Sequence, residues 1–319
     1  MRIPRRGLAA LALLPAISSV ARAQRRSVRL VVPAAPGGAI DVIGRLYATR
    51  LGEVLEQNWV VENRSGANNT LGAAEVARAA PDGQTFLVNA DIHLMAKHVM
   101  RAVPYDPIAD FTPIARLATA PMVPVGNPRA TPEGMPALIA ALRSNADKLT
   151  FANSALGAMG HLATESLKRE AGSDALVVSY RGTAPALTDV IAGNAALMVA
   201  PLGSALPHVT EGRLRAFAIM GPQRSSRAPD IPTIAEGGLP GLDFMLWYAI
   251  WGPKGLPDAD ADSLNAAIRR IAQEPAIVAR LADQGAEPVV EDRASFGRFI
   301  VAEAERNARV AQAAGIRPE

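Results

Sequence analysis

The residues most apt for covalent chemistry are not arranged for it. The chain has no cysteine, which excludes thiol nucleophiles, disulfides and thiolate metal sites. Its four histidines, His93, His98, His161 and His208, show no HExxH spacing, and the five-residue step from His93 to His98 does not put both rings on one helix face. Ser154 lies outside any GxSxG elbow. No pair of carboxylates is spaced for acid and base work. Neither catalytic residues, a metal site nor a cofactor is therefore expected. What the sequence offers instead is backbone. In VVPAAPGGAID, Val31 to Asp41, an apolar run meets a Pro/Gly turn and then a helix start. No lysine or hydroxyl follows Gly38, so it is not a P-loop, and the glycine spacing is not GxGxxG. Gly37 and Gly38, flanked by Ala35 and Ile40, permit a tight turn. Free N–H groups at a helix start favour an anion there. Asp41 would cap that helix or sit in its first turn. The motif alone serves equally well as a bare turn or as an anion cradle.

Three further loops share this setting. SGANNT follows a second apolar run, Asn89 ends a third, and NSALGAMGH follows a fourth. In the last, Asn153 and Ser154 offer side-chain bonds beside Ala155, and Gly157 offers an open N–H. His161, one turn into the next helix, either orients that loop or meets a ligand. Arg181, in Tyr180–Gly182, either pairs with an anion or is solvated.

These loops need a frame. Ser27–Ala35, Asn58–Arg64 and a run ending near Asn89 read as strands, separated by helices beginning after Gly38 and near Thr70. Strand and helix in alternation imply a largely parallel sheet with right-handed crossovers, and ligands bind at the carboxyl ends of such strands. Pro104–Pro128 is proline-punctuated and extended, a crossing to a second unit. There Leu149–Ala155, Ala175–Tyr180, Ala195–Pro201 and Leu214–Gly221 read as strands. Phe244–Gly255 crosses back. Two tail helices are expected, one over Asp260–Gln273 and one from near Ala294 to Ala314. The expected class is α/β, two lobes around an interdomain cleft. Such clefts are common ligand sites.

The first 23 residues read as a leader: basic MRIPRR, an apolar GLAALALLPAISSV and a small-x-small Ala21-Arg22-Ala23, with cleavage before Gln24. The apolar run is too short to span a membrane. Export without anchoring follows, by the general or the twin-arginine route. The whole chain carries +3, and the leader holds Arg2, Arg5, Arg6 and Arg22 with no acid, so the mature chain is near −1. The basic balance therefore belongs to the leader, and no nucleic-acid partner is expected. Hydrophobic residues make up 49% and charged residues 20%, which suits a globular chain that folds on core burial.

Taken together, VVPAAPGGAID, VVENRSGA, APDGQTFLVN, PYDPIADFTPI, FANSALGAMGHLA, VVSYRGTAPALTDVIAG, LPHVTEGRLRAFAI and RAPDIPTIAEGGLPGLDF resemble, in order and over nearly the whole mature chain, the extracytoplasmic solute receptors of tripartite tricarboxylate transporters, the Bug receptors. The resemblance implies a type II periplasmic-binding fold that closes on a small carboxylate, and a monomer that docks on a membrane permease. It implies that the loop Ala34–Asp41 holds one carboxylate, partly through water, and that loops at Asn89, Ser154–Gly157 and Ala200 supply the rest, with His161 and Arg181 flanking. Two departures stand out. Gly66-Ala67-Asn68-Asn69 replaces a glycine-rich loop and adds two amides. Ala200 replaces a frequent aspartate, which would disfavour an amino acid ligand. The expected domains are 1–23 as leader, 24–125 with 244–319 as the first lobe, and 126–243 as the second. A ligand-presenting sensor and an exported hydrolase are the alternative functions.

Overall fold

The computed structural model describes residues 27–144, 148–180 and 182–318. The leader and Arg181 lie outside the described residues. The first unit opens with β1 (Ser27–Val32), α1 (Ala39–Val54), β2 (Asn58–Asn63), α2 (Thr70–Ala77), β3 (Thr85–Ala90) and α3 (Ile92–Val99). β1 pairs in parallel with β2 on one side and β3 on the other. β4 (Phe111–Gly126) is the long crossing. Next come α4 (Met135–Ser144), β5 (Phe151–Asn153), α5 (Met159–Ala171), β6 (Val177–Ser179), α6 (Thr183–Ala192), β7 (Leu197–Pro201), α7 (Leu202–Thr210) and β8 (Arg215–Ala216). β9 (Met245–Pro253) returns the chain, and α8 (Asp258–Ile271), α9 (Pro275–Asp283), β10 (Glu287–Pro288) and α10 (Arg293–Ala313) complete it.

The strand order is β2-β1-β3-β9-β4-β7-β5-β6. β9 is antiparallel to both β3 and β4. β4 changes partner along its length: Phe111–Pro121 pair with β9, and Met122–Gly126 pair with β7. One strand thus belongs to two α/β units. The proline-rich segment can do this because its prolines leave ladder positions free at the change of partner.

Alternation explains the layering. Leu30, Val32 and Val88 face α1 and α8, where Ile43, Tyr47, Leu51 and Ile268 are buried with them. The opposite face carries Val31 and Leu87 toward Met95, Trp247, Trp251 and Phe296. Each such side chain contributes roughly 1.5–3 kcal/mol of burial. The Tyr47 hydroxyl, buried under β4, donates to the Leu117 carbonyl at 2.8 Å. In the second unit α5 lies close on β7, because Gly160 has no Cβ; one would stand 2.7 Å from the Val199 carbonyl oxygen.

Several expectations change. The strand expected over Leu214–Gly221 shrinks to Arg215–Ala216. Its neighbours divide their bonds: Phe217 and Met220 N–H donate to β4, while Ile219 N–H donates to Pro232. Helices α3, α4 and α9 were not anticipated. α3 buries six of its eight residues, and so short a span gives little periodicity to read.

Candidate functional site

The strand ends converge on loops whose polar groups are fixed by one another. Asp41 is only 2% exposed. Its carboxylate accepts from Gly37 N–H at 2.9 Å, from Arg45 Nε at 3.0 Å and from Asn63 Nδ2 at 2.8 Å. Burial pushes its pKa up, but these bonds outweigh burial and hold it below the usual carboxylate range. Asn63 also donates to the Ala34 carbonyl and accepts from Arg45. The end of β2 therefore braces the β1–α1 turn. Gly37 adopts φ +80°, which a side chain would strain. Ala35, Gly37 and Gly38 are exposed, and Ile40 is half-buried against the first core. Asp41 is thus the loop's internal anchor. No acceptor meets the N–H groups of Ala39, Ile40 or Asp41 among the described residues. Three donors at a helix start are left for an anion or water.

Asn89 is completely buried at the end of β3. Its Oδ1 accepts from Asn69 Nδ2 at 3.2 Å and from Ala90 N–H at 2.9 Å. Its Nδ2 has no partner among the described residues. Asn153 is alike in the second unit: Nδ2 donates to the Ala155 carbonyl at 3.1 Å, while Oδ1 stays unpaired. Buried polar atoms are nearly always bonded, so each such atom asks for a missing partner.

The loop from Ser154 to Ala158 departs from expectation at one atom. The Gly157 N–H is not open, because it donates to His161 Nδ1 at 3.1 Å. His161 is therefore neutral, with its proton on Nε2. Burial, opposed by Glu165 and aided by Lys168, keeps its pKa below the ordinary value. The histidine orients the loop from within its own helix. Ser154 is half-buried, and its carbonyl accepts from Gly182 N–H at 2.9 Å, which brings the β6–α6 turn alongside. Ala200 is a second correction. It is 0% exposed and packs in the second unit's core with Val123 and Ala152. Its methyl belongs to that core and not to an open cleft wall.

The two units touch at these loops. Asn68 Nδ2 donates to the Leu156 carbonyl at 3.5 Å. Gly157 sits so close to α3 that a Cβ would stand 2.5 Å from Val99 Cγ1. Gly203, opening α7, lies against the Gln284–Gly285 turn, where a Cβ would be 2.3 Å from the Gln284 oxygen. Sequence reasoning missed Asp91. It is 2% exposed, Oδ2 is unpaired, and burial raises its pKa to about 7. The Met159 N–H at the start of α5 faces it and lowers the value; the charge of Glu303 raises it. Arg45 was also missed, although its i+4 spacing from Asp41 was a readable signal. Among the described residues no group of three or more His, Cys, Asp or Glu is placed to hold a metal.

Two α/β units sharing the strand β4, with polar groups at their strand ends, define a two-lobed binding protein. The chain belongs to the tripartite tricarboxylate transporter family of receptors, whose model matches residues 43–316. It is 34% identical to protein BugT of Bordetella pertussis over 91% of this chain and 90% of that protein. Its fold is similar to that of R. palustris Rpa4515 with adipate, with a TM-score of 0.83, 34% identity, and coverage of 92% of this chain and 99% of that one. It is similar also to MatC from Rhodopseudomonas palustris with bound malate, with a TM-score of 0.78, 31% identity, and coverage of 90% and 99%.

Proposed function

We propose that this receptor captures a small carboxylate between its lobes in the periplasm and, as a monomer, presents it to the membrane permease of a tripartite transporter. The observation that carries the reading is the Asn89 Nδ2, a completely buried donor without an acceptor at the end of β3. The free N–H groups of Ala39, Ile40 and Asp41 add a second set of donors on the same lobe. Donors lacking acceptors suit an anionic solute. Rpa4515 with adipate and MatC with malate, both similar over nearly their whole length, support the same class. Ala35, Gly37, Gly38 and Ile40 then form one wall and Ser154 and Ala155 the other. Asp41, Gly157 and His161 hold those walls in shape.

The mechanism is capture by closure. A ligand bound to both lobes favours the arrangement in which they touch, and the permease reads that arrangement. No bond is made or broken. We place the lobes at 24–125 with 244–319 and at 126–243, which the change of partner along β4 supports. Export follows cleavage after Ala23. A thermal-shift screen of the mature protein against mono-, di- and tricarboxylates tests the reading. Stabilisation by at least one acid is expected. A flat response to all of them, with an empty cleft in crystals grown in their presence, would overturn it.

A further inference from the structure

Asn69 holds a place where asparagine usually caps its own helix, just before α2. It does not do so. It adopts φ +68°, and its side chain makes no capping bond. The start of α2 is closed instead by Thr70, whose N–H and hydroxyl both donate to the Ala67 carbonyl. The Asn69 amide is spent on Asn89, twenty residues away. That bond has a chemical consequence. The Asn89 oxygen receives two donors, Asn69 Nδ2 and Ala90 N–H. Turning the Asn89 amide over would set its NH2 against both of them. Oδ1 is therefore fixed toward Asn69, and Nδ2 is fixed on the other side, buried and without an acceptor.

We propose that Asn69 is a positioning residue for ligand choice: it locks the Asn89 amide with nitrogen outward, so that the site takes solutes presenting a carboxylate or carbonyl oxygen at that point. The proposal rests on the reading of the cleft as a solute site. Selectivity arises because a solute with only a donor there, such as an amine, would leave two donors face to face. Asn69 need not touch the solute.

The position permits a clean test. Glycine suits a φ of +68°, so Asn69→Gly keeps the turn and removes only the amide. Asp also tolerates this conformation but accepts where Asn donates. Asn69→Asp would set an acceptor against the Asn89 oxygen, favouring a reversed amide against the hold of the Ala90 N–H. Calorimetry with malate and adipate is expected to show affinity falling about fivefold to tenfold in Asn69→Gly and further in Asn69→Asp, with melting temperatures near wild type. Equal affinity in all three proteins would overturn the proposal, as would equal losses in the two variants, which mark a role confined to turn structure. A wild type that binds neither acid nor any other carboxylate would defeat the solute reading instead. Nuclear Overhauser contacts of the Asn89 side-chain NH2 in wild type and Asn69→Asp then decide the inference separately: an NH2 that faces residue 69 only in the variant upholds it, and an unchanged amide overturns it.

Discussion

At the scale of single residues, the loops are held by side chains that also set their own protonation. Asp41 ties Gly37, Arg45 and Asn63 into one cluster at the head of α1. Replacing it with alanine removes several charge-assisted bonds at once. Asp41→Ala is expected to lower unfolding free energy by about 2 kcal/mol in a denaturant titration, and to weaken solute binding through the loosened turn. Asp91 behaves in the opposite sense. Its folded pKa of about 7 lies above the ordinary carboxyl value, so between these the folded state binds more protons than the unfolded. Its contribution to stability is full below ordinary carboxyl pKa values and is lost as pH rises to about 7. His93 is buried between Tyr105, Phe111 and Trp251, with Nε2 bonded to the Pro107 carbonyl, and burial lowers its pKa to about 4. It contributes fully above ordinary histidine values and loses that contribution as pH falls through about 4. Asp91→Asn should therefore gain at least ~1 kcal/mol over wild type at pH 8, and much less at pH 4, in matched unfolding curves. Equal differences at both pH values would contradict the placement of a buried, titrating Asp91. Of these residues, Asp41 was legible because a lone acid follows a Pro/Gly turn at a helix start. The bond from Asn69 to Asn89 was not, because it joins residues that share neither a helix turn nor a ladder. Ala200 was misread because a residue near a strand end can still point into the core.

At the scale of elements, legibility followed periodicity. α1 shows itself through Ile43, Tyr47 and Leu51 on one face, and the parallel β1–β3 arrangement follows from strand and helix alternation. α3 packs under both α10 and the second unit, and its eight residues are too few to show a clear period. The contacts between units are equally silent in the sequence, since they are made by glycines. Gly203 is informative here. It is a helical residue without positive φ, so alanine would favour α7 itself by up to ~1 kcal/mol. Yet the added Cβ would meet the Gln284 oxygen of the other unit at 2.3 Å. That overlap with backbone outweighs the helix gain, so Gly203→Ala should melt below the wild-type temperature and, by forcing the units apart, bind solute at least about tenfold more weakly. A variant that loses stability without losing affinity would show that this contact serves packing alone.

At the scale of the whole molecule, the two units share the long strand β4, and the proposed capture encloses the solute by moving one lobe on the other. β4 alone runs through both regions of the sheet, and the hinge that the proposed closure needs would fall at its change of partner between Pro121 and Met122. In the proposed mechanism, the buried donors on the first lobe and the half-buried loop of the second become one site when the lobes meet. Fluorescence energy transfer between dyes on exposed residues of the two lobes, followed while malate or adipate is titrated into the mature protein, tests this most directly. The account predicts a saturable shift to a shorter inter-lobe distance that Gly203→Ala greatly weakens. Saturable binding with no change in distance would contradict it.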